Sequence, residues 1–326
     1  MTVLTRPGAR SLLLGVAGGL VSGLSLRCAF AYGRGSFLSL MSLTFLVIVP
    51  AVMGFVTVFV MERGAPRRWL VWVVAPLLPV LLALAITLAF NVEGSICIVM
   101  LLPVALLAGS IGGVTGGLFA RGKTRVGHEV LGVVLALPLV LGIIESRVPS
   151  MRTFHGVQSA ISIGASPERV WEEIARVPAI SGSELPPLWT HRIGFPRPIE
   201  ATLSHEGAGA VRHATFERGV SFLETVNTWE PAHRLAFEIQ AESVPPAALD
   251  EHVTIGGAFF DVLRGEYVLE PIAGGGTRLV LTSTHRLSTH FNPYAALWVD
   301  AVMSDIQRGI LEVVRRRAEA AERAAR

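Results

Sequence analysis

Five apolar runs crowd the first 145 residues, and they constrain the possible folds more than any other feature. They cover 11–31, 37–61, 69–90, 95–120 and 128–145. Each is close to the roughly 20 residues that an α-helix needs to cross a bilayer. The polar segments between them are too short to build a separate core. Beyond residue 150 the pattern changes to short alternating runs broken by turn residues. The chain therefore reads as two domains, an all-α transmembrane bundle of about five helices over 1–150 and a soluble domain over 151–326. Each lies within the usual size range of a domain.

Charge divides at the same point. Residues 1–150 hold 11 Lys and Arg against 4 Asp and Glu, a net +7; residues 151–326 hold 17 Arg against 21 Asp and Glu, a net −4. The basic residues of the first half sit in the connections between apolar runs, so the sequence lacks the basic stripe of a nucleic-acid-binding face. Arg63, Arg67 and Arg68 fall in the second connection, and Arg121, Lys123 and Arg125 in the fourth. The first connection has only Arg34, and "NVEGS" in the third has no basic residue. The positive-inside rule then places the amino terminus and these two basic connections in the cytoplasm. Five crossings put residues 151–326 outside, in the manner of an integral protein of a bacterial plasma membrane. The first run ends in "AFA" at 29–31, like a signal-cleavage site, but Arg27 within it favours a retained span.

Two runs carry small-residue ladders, Gly15, Gly19 and Gly23 in the first and Gly109, Gly113 and Gly117 in the fourth. Such spacing lets helix backbones approach closely in lipid. Packing within the bundle is the simpler expectation; self-association through these six glycines is the alternative. The interiors of the second, third and fourth runs lack ionisable residues, which coupled transport generally requires, so the bundle reads as an anchor. Cys28 and Cys97 are the only cysteines and form no disulfide framework or metal motif.

The second half opens with "VQSAISIGASPERVWEEI". Val157, Ile161 and Ile163 share one face of a strand, by its period of two. Ser166 suits a helix N-cap, Pro167 the first helical position and Glu168 the positive helix end. Further strand patterns cover 198–205, 210–217, 221–229, 233–241, 259–270 and 277–286, and a long helix covers 293–322. The expected fold class is α+β, with a curved antiparallel sheet around a long C-terminal helix.

The segments "ISIGASPERVWEEI", "GAGAVRHATF", "TWEPAHRLAFEI" and "TRLVLTSTH", followed by a long amphipathic helix, resemble the START-like superfamily. This group is also called SRPBCC, or polyketide cyclase/dehydrase and lipid-transport proteins. The resemblance covers 157–320 and implies a helix-grip fold with an apolar cavity between sheet and helix. It leaves the chemistry open, because folds of this kind host several functions.

Candidate ligand-binding residues follow from the strand faces. Phe237, Tyr267 and His285 point inward, and Glu224 shares the face of Phe222 and Val226. An inward carboxylate in apolar surroundings needs a partner. A hairpin centred on Arg218 supplies Arg212, whereas a two-residue Arg218-Gly219 loop supplies His213. On the final helix Trp298 and Asp305 lie on the apolar stripe. The loops 181–198 and 243–259, with Trp189, Ile193, Phe195 and Phe259, are expected to edge the cavity mouth and to dip toward a bilayer.

The histidine spacing lacks a metal pattern, and no phosphate loop, GxSxG elbow or catalytic cysteine is present, so neither metal nor cofactor is expected. The leading expectation is a membrane-anchored module that binds a hydrophobic small molecule or lipid. The alternatives are a cyclase- or dehydratase-type enzyme using the same cavity, and a regulatory protein that acts through a protein partner.

Overall fold

The computed structural model describes residues 7–32, 39–122, 129–245 and 254–325. Arg6, Arg34, Lys123, Arg125 and the centre of the 243–259 loop lie outside them. The chain divides into two compact units, 1–150 and 151–326.

The first unit is helical: α1 (Pro7–Tyr32), α2 (Val49–Gly64), α3 (Trp69–Val74), α4 (Leu77–Ala89), α5 (Ser95–Arg121) and α6 (Glu129–Glu145). A π-helical turn, Thr44–Ile48, leads into α2. Among the described residues four segments are long and apolar enough to cross a membrane, Gly8–Ala31, Thr44–Gly64, Trp69–Ala89 and Ser95–Arg121. These are the first four of the five expected runs. The fifth run forms α6, whose 17 residues extend only about 25 Å at 1.5 Å per residue.

The glycine ladders are used inside this unit. A Cβ at Gly15 would sit 2.4 Å from the Thr57 carbonyl oxygen, and one at Gly113 would sit 2.1 Å from that of Trp72. Gly19 and Gly23 likewise face Met53 of α2, while Gly109 and Gly117 face Val80 and Trp72. The first ladder thus packs on α2 and the second on α3 and α4, rather than on each other. Cys28 and Cys97 are not joined in a disulfide.

The second unit contains β1 (Thr153–Ile163), α7 (Pro167–Ala175), α8 (Trp189–Arg192), β2 (Pro198–Leu203), β3 (Val211–Phe216), β4 (Ser221–Glu230), β5 (Arg234–Ser243), β6 (Phe260–Ile272), β7 (Gly276–Leu287) and α9 (Asn292–Ala324). The strands form one antiparallel sheet in the order β1-β7-β6-β5-β4-β3-β2. Shifts of register between Val226 and Thr228 and between Val262 and Arg264 add local twist and help curl it. The Ser166 hydroxyl caps α7 by accepting from the Arg169 amide at 3.4 Å, with Pro167 at the first turn.

The concave face and α9 share one core, including Ile163, Val170, Ile174, Leu235, Leu279 and Leu311. Burial of each such side chain stabilises by about 1.5–3 kcal/mol. Arg317 on α9 donates to Glu184 at 2.7 Å and to the Pro178 and Ala179 carbonyls, which ties the α7–α8 connection to the helix. This pairing holds the Glu184 carboxyl down at about 2. These features make the unit a helix-grip fold, an α+β domain in which a curled sheet faces a long final helix.

Candidate functional site

The polar centre of the concave face starts from a hairpin. Residues Glu217–Gly219 form its turn, with Arg218 at φ 60° and Gly219 at φ 76°. Both values are left-handed, where glycine is at ease and arginine is uncommon. A three-residue turn centred on Arg218 sets Arg212 opposite Glu224 and His213 opposite Leu223. Arg212 therefore joins Glu224 on the inner face. His213 projects from the other face and meets Glu242 at 2.6 Å, with 43% of its side chain exposed, so it does not join Glu224 on the inner face.

Arg212 Nη1 and Glu224 Oε2 lie 3.3 Å apart, with side chains 4% and 12% exposed. The approach is off the hydrogen-bonding direction. Arg212 Nε and Nη1 and Glu224 Oε2 thus have no hydrogen-bond partner among the described residues. A buried polar atom left in this way costs about 1–3 kcal/mol. Burial raises the Glu224 carboxyl above its usual range, opposed by the charge of Arg212.

The pair rests on an aromatic platform. The Arg212 guanidinium lies 4.9 Å from the centre of the Phe237 ring, a cation–π distance. The ring in turn lies over Gly265, where a Cβ would come within 2.5 Å of it. Gly265 was missed in the sequence, because its role depends on a ring from the neighbouring strand. Tyr267 is buried beside Phe237, with ring centres 6.3 Å apart. Burial pushes its phenol up to about 12, so it remains a neutral hydroxyl.

A second polar group joins the other side of the sheet to α9. Ser159 Oγ donates to Gln307 Oε1 at 2.7 Å, and Gln307 Nε2 donates to the Val157 carbonyl at 3.1 Å and to Ser283 Oγ at 2.8 Å. Ser283 Oγ is 2.8 Å from His285 Nε2. Phe260 stacks on the imidazole with ring centres 5.7 Å apart. Burial is the main cause that depresses the His285 imidazole to about 4. Its Nδ1 has no hydrogen-bond partner among the described residues.

The two α9 candidates behave differently. Asp305 is 2% exposed, but its acceptor capacity is committed. Oδ2 accepts from the Thr190 amide at 3.1 Å and its hydroxyl at 2.9 Å, while Oδ1 pairs with Arg308. It therefore anchors α8, with both carboxylate oxygens engaged by protein groups. Trp298 is half-buried and packs edge-on to Tyr294, with ring centres 6.4 Å apart. Trp189, Ile193, Phe195 and Phe259, from the two loops, are also half-buried. No cluster of three His, Cys, Asp or Glu side chains capable of holding a metal occurs among the described residues.

No family model matches the chain, and no curated protein matches it. Solved structures do. The Zhui aromatase/cyclase from Streptomyces sp. R1128 is 15% identical, with a TM-score of 0.33 over 53% of this chain and 97% of its own. Ara h 8.0201 is 14% identical, with a TM-score of 0.33 over 53% and 99%. A protein from Thermus thermophilus is 22% identical, with a TM-score of 0.34 over 51% and 98%.

Proposed function

We propose that residues 151–326 bind a hydrophobic small molecule or lipid on the concave face, and that the N-terminal helices hold this module at a membrane. The observation that carries the reading is the Arg212–Glu224 pair. It is buried on an aromatic platform, and Arg212 Nε and Nη1 and Glu224 Oε2 lack hydrogen-bond partners among the described residues. Ligand sites on apolar walls use a few such polar groups to set orientation. Apolar burial would supply affinity, and the pair would select the polar end of the ligand.

In this reading the module lies outside the cytoplasm. Glu145, at the end of α6, accepts from the Leu43 and Thr44 amides at 2.7 and 2.8 Å. The end of α6 is therefore beside the start of the second span. The opposite end of that span carries Glu62, which meets Arg121 at 2.9 Å. A helix that links those two ends supports a fifth crossing, despite its shortness. Basic Arg63, Arg67, Arg68 and Arg121 then mark the cytoplasmic end.

The test is native mass spectrometry of the full chain released from detergent, followed by solvent extraction of whatever it carries. A stoichiometric apolar compound is the expected result. A chain that emerges empty after purification from membranes, and remains empty when offered a membrane extract, would overturn the reading.

A further inference from the structure

The two polar groups of the concave face are related by the sheet register. Glu224 pairs with Ile239 on β5. The next position of that cross-strand row falls on Leu263, one residue beyond the Glu238–Arg264 pair. Leu263 is the extra residue between Val262, which faces His285, and Arg264, which faces Thr284. The row therefore runs from Arg212 and Glu224, across Ile239 and Leu263, to His285. Its two ends are polar and its middle is apolar.

Both ends carry unpartnered polar atoms. The Val157 carbonyl must accept, which fixes the Gln307 amide with Nε2 toward Val157 and Ser283. Ser283 Oγ accepts from that amide, and among the described residues His285 Nε2 is the one acceptor within reach of its own proton, so we assign the hydroxyl as donor to that ring nitrogen. The ring proton of neutral His285 is then on Nδ1, a buried donor in a residue with 0% exposure. At the other end Arg212 offers two unpartnered donor nitrogens and Glu224 one unpartnered acceptor oxygen. A single hydroxyl satisfies both functions there, accepting from the guanidinium and donating to the carboxylate. An anionic head is disfavoured, because Arg212 is already balanced by Glu224 and a second negative charge would face that carboxylate in poorly screened surroundings.

We infer that the concave face takes an elongated, uncharged molecule with a hydroxyl at the Arg212–Glu224 end and an oxygen acceptor at the His285 end. This rests on the binding reading above. Three strand steps of about 4.8 Å separate β4 from β7, so the two oxygens are roughly 14 Å apart on a flat sheet and closer on a curled one. The middle of the ligand is apolar, to match Ile239 and Leu263.

The test compares decane-1,10-diol with decan-1-ol on the full chain in lipid nanodiscs, read as bound mass at equilibrium. The diol is expected to bind at least tenfold more tightly, and His285→Phe is expected to erase this advantage. Equal binding of the two by the wild-type protein overturns the two-ended inference and leaves the binding reading standing. This wild-type comparison also decides the matter if the variant fails to fold. A diol advantage that persists in a folded His285→Phe protein likewise overturns it. Binding of neither compound overturns the reading on which it rests.

Discussion

Two buried carboxylates, one in each unit, meet an arginine in different ways. Glu62 of the helical unit is 1% exposed and pairs with Arg121 at 2.9 Å. It also accepts from Trp72 Nε1 and from the Arg67 amide, each at 2.7 Å. Arg121 lies over the Trp72 ring and donates to the Arg67 carbonyl. Every partner is protein, so this network locks the end of α2 to the connection that follows and to the end of α5. Glu224 of the helix-grip unit also has an arginine, yet its Oε2 and two nitrogens of Arg212 lack hydrogen bonds among the described residues. A saturated buried pair stabilises a packing arrangement, whereas an unsaturated one retains capacity for something that binds later.

The sharpest way to break this comparison is to replace each pair with apolar residues of similar size. Glu62→Leu with Arg121→Met strips the acceptor from Trp72 and from the Arg67 amide. It is expected to lower stability by about 3 kcal/mol, read as a fall in the unfolding midpoint of the detergent-solubilised chain. Arg212→Met with Glu224→Leu removes a pair whose desolvation is poorly repaid. That change is expected to be neutral or stabilising by about 1–4 kcal/mol, and to abolish ligand capture. Equal losses from the two double variants would erase the distinction.

The His285 end has a pH signature. Its imidazole falls from 6.5 to about 4 on folding, so between those values the unfolded chain holds a proton that the native chain does not. Stability should therefore fall as pH drops from 6.5 toward 4, by about 3 kcal/mol in total. The raised carboxyl of Glu224 acts in the opposite sense, since its charged form is the one penalised by burial. His285→Phe isolates the first contribution. If the acid loss persists unchanged in that variant, the burial of a neutral His285 is wrong.

A smaller effect tests the platform. Gly265→Ala places a methyl against the Phe237 ring, and such overpacking costs about 1–3 kcal/mol. Because Arg212 rides on that ring, ligand affinity should drop beyond what the loss of stability explains. Unaltered affinity would show that Phe237 does not position Arg212. Topology is checked separately by a reporter fused after Arg326 that is active only outside the cytoplasm; it should be active, and a silent fusion would contradict the outward placement.

The sequence made the strands and the long helix legible because their apolar positions repeat with clear periods. Strands expected at 221–229 and 277–286 occur at Ser221–Glu230 and Gly276–Leu287. Glu224 was recognisable from Phe222 and Val226 on the same face. Its partner was not, since Arg212 and His213 alternate and only the backbone at Arg218 and Gly219 selects between them. Asp305 was placed on the correct stripe of α9, but its partner Thr190 is 115 residues away in sequence. Gln307 and Gly265 went unnoticed for a related reason. Their roles depend on atoms of other strands, to which local periodicity is blind. In the helical unit, hydropathy found the apolar runs but did not show that the fifth makes a helix of 17 residues.

The most direct measurement is the ligand load of the full chain by native mass spectrometry, wild type beside the Arg212→Met, Glu224→Leu double variant. The account expects one apolar, uncharged compound per wild-type chain and an empty, folded variant. The same compound at the same occupancy in both proteins would contradict it, because the Arg212–Glu224 pair would then have no part in holding the ligand.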